Sequence, residues 1–364
     1  MAVSCRRRLL AVAITVPVAL GAQRSSPSSS GCARVRARLL GAQATLIAQD
    51  LRPFHAAYSG PMSLVSGGDR QMSQSYGLYA GACVLPGLAA YVDGEMIRGS
   101  GISHASGLGG VTNGDVLRQG SVDLGDGPYV ARAFVRYTIG LPSTTADSEP
   151  AAMDVMDGVL SARRIEITAG KFAATDVFDV NRYANSSRTQ FLDWVLFNDG
   201  AWDYPADTRG YSNGVAIAWI TPRWSMRIGS FQMPRFANGN KFDAAIANAR
   251  GDVAELSLGA SGGPIVRVLA YENHARMGRY AVAIATAAGS ANPPDIVADD
   301  QPGRIKYGVG FNAELPLADD GNTGAFVRWG WNDGRTESFA FTEVDSHLSA
   351  GAVYPNSGDT LVSH

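Results

Sequence analysis

Cysteine, net charge and long apolar runs are all scarce in this sequence. Its 364 residues include 3 cysteines, and 31 Lys and Arg residues nearly balance 33 Asp and Glu residues, giving a net charge of -2. This balance argues against a nucleic-acid partner, because binding to phosphates needs an excess of basic side chains. No helical apolar run of about 20 residues follows the N-terminal region, so a membrane-spanning helix is not expected.

Motifs of catalysis and metal binding are missing as well. The sequence contains no HExxH, GxSxG, P-loop or CxxC pattern. The five histidines are scattered without ligand spacing: His55, His104, His274, His347 and His364. Cys32 and Cys83 lie far apart, and Cys83 is interpreted as a packing residue in an apolar strand. The sequence therefore predicts no enzyme, no metal site and no cofactor.

Residue-by-residue alternation is the strongest positive feature. In residues 214–221 the large side chains of Val215, Ile217 and Trp219 share one face, while Gly214, Ala216 and Ala218 share the other. Residues 225–233 alternate in the same way, and period-2 alternation predicts β-strands. A second face of small or charged residues favours a membrane barrel, in which apolar residues contact lipid and small or polar residues face a lumen.

Further alternating segments predict eleven to thirteen strands in total. They cover residues 77–90, 91–102, 129–141, 162–172, 253–259, 264–272, 305–316, 324–332 and 338–354. We expect the following apolar residues to face outward: Ala131, Val135, Ile165, Ile167, Val215 and Ile217.

The connections between these strands alternate in length. Residues 220–224, 259–263 and 317–323 are short connections, whereas 186–213, 234–252 and 273–304 are long. Within the long connections, residues 242–250 and 279–288 are candidates for short helices. This alternation is typical of an up-and-down outer-membrane barrel with short periplasmic turns and long external loops.

The N-terminal region has the features of a secretion signal. Arg6, Arg7 and Arg8 precede a short apolar run from Leu9 to Leu20, and small residues follow it. We interpret residues 1–22 as a signal peptide, 23–38 as a flexible leader and 39–364 as the barrel domain.

Charged residues occur on the faces that carry the small residues. They are Glu95, Arg132, Arg136, Arg164, Glu166, Arg227, Glu255, Arg267 and Arg328. One interpretation is that they form ion pairs that only stabilise the wall. The other is a pore lining, in which planar guanidinium donors and carboxylate acceptors bind sugar hydroxyls. Charges of both signs on one wall would favour neutral polar solutes over ions.

Several motifs resemble a known family. The most specific are RTQFLDW at 188–194, GAWDYPADTRGY at 200–211 and WSMRIGSFQMPRFANG at 224–239, supported by VRVLAYENHARMGRY at 266–280 and FAFTEVDSHLSAG at 339–351. The chain resembles the OprB-type carbohydrate-selective porins of Gram-negative outer membranes from about residue 39 to residue 354.

This resemblance implies an all-β fold, an antiparallel transmembrane β-barrel of sixteen strands, that passes monosaccharides by passive diffusion. The partners it implies are sugars, outer-membrane lipid and the barrel-assembly machinery, and a homo-oligomer is left open. Trp202, Asp203 and Arg209 lie in the matching loop and become candidate sugar-contacting residues.

The sequence departs from the family at its C-terminus, where it stops at SGDTLVSH without the family's last strands. We expect fewer than sixteen strands and little or no stable pore from the chain ending at His364, because open strand edges are costly in hydrocarbon. Two alternatives stay open: a non-functional truncated barrel remnant, and a secreted soluble β-rich carbohydrate-binding protein.

Overall fold

A computed structural model describes residues 10–18, 32, 38–116, 124–125, 127–149, 154–156, 158–342 and 344–354. The strands are β1 (Leu10–Val18), β2 (Arg38–Leu51), β3 (Asp69–Leu85), β4 (Leu88–Gly99), β5 (Tyr129–Gly140), β6 (Ala146–Glu149), β7 (Gly158–Ser161), β8 (Arg164–Phe172), β9 (Ser212–Ile220), β10 (Trp224–Gln232), β11 (Arg250–Gly259), β12 (Ile265–Met277), β13 (Gln301–Ala318), β14 (Thr323–Asn332) and β15 (Ser346–Val353). The α-helices are α1 (Leu108–Val111), α2 (Trp194–Phe197) and α3 (Tyr280–Ala287).

Thirteen of these strands form one sheet in the order β1-β2-β3-β4-β5-β8-β9-β10-β11-β12-β13-β14-β15, and β6 and β7 form a separate hairpin. Every ladder is antiparallel. Each ladder joins strands that follow each other in the chain, except that β5 pairs with β8 and so skips the β6–β7 hairpin. No ladder joins β1 to β15 among the residues that the structure describes. The predicted all-antiparallel, up-and-down topology is confirmed. β1 comes from the segment interpreted as a signal peptide, and its removal stays a prediction.

The connections define two ends of the sheet. The long-loop end carries residues 52–68, 100–128, 173–211, 233–249, 278–300 and 333–345. The short-turn end carries residues 86–87, 221–223, 260–264 and 319–322, together with the longer connection 141–163 that contains the β6–β7 hairpin. From β2 onward, the predicted alternation of short and long connections therefore matches the structure, apart from connection 141–163.

The outward face of the sheet is apolar, as the alternation predicts. Ile217 pairs with Ile167 on β8 and with Ile228 on β10, so the three side chains share one face. Val215 is 46% exposed and Ile217 is 39% exposed. Aromatic pairs lie on this face at both ends, Trp219 with Trp224 at the short turn 221–223 and Tyr307 with Trp331 near the long loops. An apolar band between aromatic residues is typical of the lipid-facing surface of a membrane barrel.

Ala131 is the exception among the residues expected to face outward. It is fully buried, in a cluster with Ala173 and Tyr211. The β4–β5 register shifts between Asp93 and Gly94, where Asp93 pairs with Arg132 but Gly94 pairs with Val130. Because Asp93 and Gly94 are consecutive on β4, Ala131 is the extra, unpaired residue of a bulge on β5, and the residues before it change faces. Val135, beyond the shift, is exposed as predicted.

Several predicted boundaries are wrong. The turn between β3 and β4 lies at residues 86–87 rather than at 90–91. Residues 338–342 and 344–345 are irregular, and β15 begins only at Ser346. Residues 242–250 form no helix, whereas α3 lies within the predicted helix 279–288. None of the helices formed by the described residues is both long and apolar enough to cross a membrane.

Residues 173–211, here called the inner loop, pack against the inner face of the sheet. Their apolar side chains form a buried cluster with inward residues of β8 to β12. The cluster comprises Phe172, Ala174, Phe178, Trp194, Phe197, Trp202, Tyr204, Ala206, Ala216, Phe231, Val253, Leu269 and Tyr271. Arg188 of the same loop reaches Glu95 on β4, and Asp179 reaches Arg328 on β14. Since one loop contacts strands near both ends of the strand order, the sheet must curve around it.

This packing explains why glycine is needed at two positions of the inner face. A Cβ added to Gly214 would collide with the ring of Phe231, and one added to Gly229 would lie 2.9 Å from the ring of Phe178. Small residues on the inner face therefore make room for the aromatic side chains of a packed interior. They are not evidence of an open lumen alone.

A disulfide joins Cys32 to Cys83, with 5.3 Å between their Cα atoms. The interpretation of Cys83 as a plain packing residue is therefore incomplete. Its partner lies 51 residues away in the sequence, so no local pattern indicates the pair. Disulfides persist in oxidising compartments such as the bacterial periplasm and cell surfaces.

Replacing Cys83 with serine should lower the free energy of unfolding by roughly 2–5 kcal/mol, because the bond restricts the unfolded chain across a long loop. Urea unfolding in detergent, with and without a reducing agent, measures this difference. The reducing agent should destabilise the parent protein but leave the Cys83→Ser variant unchanged. Equal stability of the oxidised and reduced parent would contradict the expectation.

Candidate functional site

A cavity of about 480 Å³ lies between the inner faces of β2 to β5 and the inner loop. Among the described residues, its charged lining consists of Glu95, Asp115, Arg132, Asp154, Asp176, Arg188 and Arg209. Its aromatic lining consists of Tyr79, Trp194, Phe197, Tyr204, Tyr211 and Phe341. Its volume lies within the range of 300–1,000 Å³ that is usual for small-molecule pockets.

Glu95 on β4 is the centre of the hydrogen-bond network. Its Oε1 lies 2.9 Å from Nη1 of Arg188. Its Oε2 accepts hydrogen bonds from the hydroxyls of Tyr211 at 2.6 Å and Tyr129 at 3.0 Å. Strand β4 therefore holds the end of the inner loop in place by a single carboxylate.

Arg188 joins the inner loop to the rest of the wall. Its Nε lies 2.6 Å from Oδ1 of Asp115, and its Nη1 donates to the hydroxyl of Tyr79 at 3.2 Å. Burial raises the pKa of Asp115, while Arg188 and a hydrogen bond from Ser75 oppose that shift. Burial alone would lower the pKa of Arg188, but Asp115 and Glu95 hold it well above its ordinary value. The guanidinium is therefore permanently charged and held in one orientation.

Two further guanidinium groups lie over tyrosine rings. Cζ of Arg132 is 5.2 Å from the ring centroid of Tyr211, and Nε and Nη2 of Arg132 each lie 2.7 Å from an oxygen of Asp176. Cζ of Arg209 is 4.2 Å from the ring centroid of Tyr129. Cation–π contacts orient the planar groups that carry the N–H donors.

Tyr204 and Phe341 form the aromatic side of the cavity. Their rings stack with centroids 4.7 Å apart and planes 18° apart. Tyr204 belongs to the inner loop and Phe341 to the connection 333–345, so this contact joins two long loops. The neighbouring carboxylate of Asp203 accepts hydrogen bonds from the amides of Phe339, Ala340 and Phe341, which fixes the second loop.

The structure divides the predicted site residues into three groups. Glu95, Arg132 and Arg209 line the cavity. A second set lies on the inner face nearer the short-turn end: Arg136, Arg164, Glu166, Arg227, Glu255 and Arg267. There Arg227 lies 3.4 Å from Glu255 and Arg267 lies 3.2 Å from Glu314, so several of these charges pair across strands. The structure does not place this second set in the cavity lining.

Trp202 and Asp203 form the third group, and their location differs from the one predicted. Both are completely buried. Trp202 packs in the aromatic cluster of the inner loop. The carboxylate of Asp203 accepts hydrogen bonds from three backbone amides and lies 3.5 Å from Nζ of Lys306. Arg328 is also fully buried, since its guanidinium binds Asp179 and the carbonyl of Leu196. These residues hold the loops together and have no surface for a solute.

Several cavity residues are missing from the sequence-based prediction. Arg188 begins the motif RTQFLDW, yet alternation does not single it out because it lies in a loop. Tyr211 likewise ends the motif GAWDYPADTRGY, whereas Asp115, Tyr79 and Asp176 lie outside the motifs. Tyr79 follows the inward period of β3, so alternation could have identified it.

This arrangement can bind a neutral polyhydroxylated molecule. Guanidinium donors and carboxylate acceptors occur on the same wall, so both hydrogen-bonding roles of a hydroxyl can be met. The aromatic rings offer apolar faces to C–H groups. A solute with a net charge is repelled by a like charge on this wall as well as attracted by an opposite one.

The architecture described so far is that of a curved antiparallel sheet of the porin type, with an apolar outer band and a long loop packed inside. The family model for the carbohydrate-selective porins, OprB family, matches residues 71–357. The chain therefore belongs to the OprB family of carbohydrate-selective porins.

Comparison with solved structures shows the same fold. The structure is similar to the high-pH structure of Pseudomonas putida OprB, with a TM-score of 0.56 and 14% sequence identity, covering 88% of this chain and 71% of that chain. At this identity the likeness concerns the fold alone. No curated protein matches the sequence.

Proposed function

We propose that this protein lets small neutral sugars diffuse passively across the outer membrane of a Gram-negative bacterium, and that the cavity beside the inner loop is where it selects them. The observation that carries the proposal is the cavity lining, in which arginines, carboxylates and tyrosines converge on one space. Membership of the family supports the substrate class, and the apolar outer band supports the location in a membrane.

Mixed charge explains how the cavity discriminates. Arg132 and Arg188 are each paired with carboxylates, so neither attracts anions as an isolated cation would. A sugar hydroxyl can bind beside these pairs without displacing a counter-ion. No energy source is needed, because the solute moves down its own gradient.

Removal of Arg209 tests the role of this lining. The Arg209→Ala variant should pass glucose or xylose about fivefold more slowly relative to salt, since a lost hydrogen bond of roughly 1 kcal/mol corresponds to that factor. Swelling of liposomes that contain the refolded protein measures the rates.

Arg136→Ala is the matched control, because Arg136 is an inward arginine beside Tyr91 outside the cavity lining. It should retain the sugar preference of the parent. Equal preference in both variants would remove Arg209 from the site. A folded parent protein that passes no sugar would favour the inactive remnant, and a parent that is soluble without detergent would favour the soluble sugar-binding protein.

A further inference from the structure

The connection 141–163 leaves the short-turn end but returns to the interior. Met156 is buried against Cys83, Ala89 and Tyr91. Asp154, two residues earlier, lines the cavity. Four other connections at this end, at 86–87, 221–223, 260–264 and 319–322, are short.

The contacts of Met156 and Asp154 locate this segment along β4. Ala89, Tyr91, Asp93 and Glu95 alternate on the buried inner face of that strand. Ala89 is near the short-turn end, and Glu95 is in the cavity. Residues 154–156 therefore extend along the inner face of β4 from the short-turn end toward the cavity.

Arg164 fastens this connection to the wall. Its Nη1 lies 2.8 Å from Oδ2 of Asp147 on β6 and donates to the carbonyl of Ser161 on β7 at 3.2 Å. Its Nε lies 2.6 Å from Oε1 of Glu166 on β8. The side chain of Arg164 is only 12% exposed. One guanidinium therefore binds both strands of the hairpin and the barrel wall.

We propose that residues 154–156 and the strands β6 and β7 form a second narrow point on the short-turn side of the cavity, which sets the largest sugar that passes, and that Arg164 is the positioning residue that holds it. This inference rests on the proposed function. The inner loop bounds the cavity from the long-loop end, and the described residues of connection 141–163 bound it from the opposite end. A sugar that crosses must pass both, so the connection on the short-turn side limits solute size independently of the Arg188 network.

Liposome swelling with glucose, a disaccharide and a trisaccharide tests this proposal. In the parent protein, swelling should fall steeply from glucose to the trisaccharide. Arg164→Ala and, separately, Asp147→Ala should raise the rates for the larger sugars several-fold and change the glucose rate much less. Asp147→Ala leaves the contact between Arg164 and Glu166 in place, so it is the milder variant if Arg164→Ala fails to fold.

Arg250→Ala is the matched control. Arg250 forms the same kind of pair with a carboxylate two residues away, Asp252, but on the outward face of β11. The largest sugar that passes the Arg250→Ala variant should be the same as in the parent. An unchanged size limit in both hairpin variants, with a parent that passes glucose, would overturn this inference and leave the proposed function intact. A parent that passes no sugar would overturn the proposed function itself.

Hydrogen exchange gives a readout that does not depend on transport. Amides of Gly158–Ser161 should be protected in the parent and in Arg250→Ala, and should exchange several-fold faster in Asp147→Ala. Equally fast exchange in the parent and in Asp147→Ala would show that the hairpin is not held, and would contradict the proposal.

Discussion

Replacing Arg188 with alanine should lower the free energy of unfolding by roughly 3–5 kcal/mol, the usual cost of removing one partner from a buried ion pair. The variant keeps the carboxylates of Glu95 and Asp115, whose side chains are 3% and 4% exposed, but loses the guanidinium that neutralises both. The inner loop would also lose the contacts that Arg188 makes with Tyr79 on β3 and with Glu95 on β4. Urea unfolding in detergent, followed by tryptophan fluorescence, measures the change.

Two variants make this experiment specific. Arg188→Lys keeps the positive charge but lacks the planar fork that reaches Asp115, Glu95 and Tyr79 together, so it should recover only part of the loss. Arg70→Ala removes an arginine whose side chain is 83% exposed and paired with Asp50, and it should cost at most about 1 kcal/mol. An Arg188→Ala variant as stable as Arg70→Ala would contradict the network.

The effect of Arg188→Ala should also depend on pH. Burial raises the pKa of Asp115 in the folded protein, and the loss of Arg188 removes a group that opposes this shift. A carboxyl with a raised folded-state pKa binds its proton more tightly when folded, so its contribution favours folding at low pH and is lost as the pH rises through that pKa. The deficit of the variant should therefore be smaller at acidic pH than at neutral pH. A deficit that grows on acidification would be inconsistent with a buried, unpaired Asp115.

Asp203→Ala should have an effect of similar size, roughly 3–5 kcal/mol. The variant removes the ion-pair partner of Lys306, which is 1% exposed and keeps its hydrogen bonds to the carbonyls of Thr336 and Glu337 at 3.5 and 3.3 Å. It also leaves three amides of connection 333–345 without their acceptor. Because Phe341 would lose its position against Tyr204, sugar selectivity should fall together with stability.

Thermal unfolding in detergent and liposome swelling measure the two effects of Asp203→Ala. The control is Asp252→Ala, which removes an outward carboxylate that is 40% exposed and should change neither quantity by much. Full stability of Asp203→Ala would mean that Asp203 does not join the two loops.

The outward face of the sheet could be predicted because alternation is a local property. Val215, Ile217 and Val135 need no knowledge of distant residues, since each strand repeats the same pattern. The prediction for Ala131 fails because this residue is the extra one of a bulge on β5, opposite Asp93 and Gly94, and the sequence of neither strand carries a signal of that bulge.

The interior was less predictable because its contacts connect distant parts of the chain. Arg188 meets Glu95 across 93 positions, and Asp203 meets Ala340 across 137. The motif around Trp202 identifies the right loop but not which of its side chains are buried. Only the fold shows that Arg209 faces the cavity while Trp202 and Asp203 hold the loops together.

The most direct test of the central claim compares three solutes of nearly equal size: glucose, its anionic acid gluconate and its cationic amine glucosamine. Liposomes containing the folded protein are swollen in each, and the rates are compared with those of protein-free liposomes. A cavity with paired charges of both signs predicts that glucose enters fastest and that both charged analogues are slower. Equal rates for all three, or faster entry of either ion, would contradict selection of neutral sugars by this cavity.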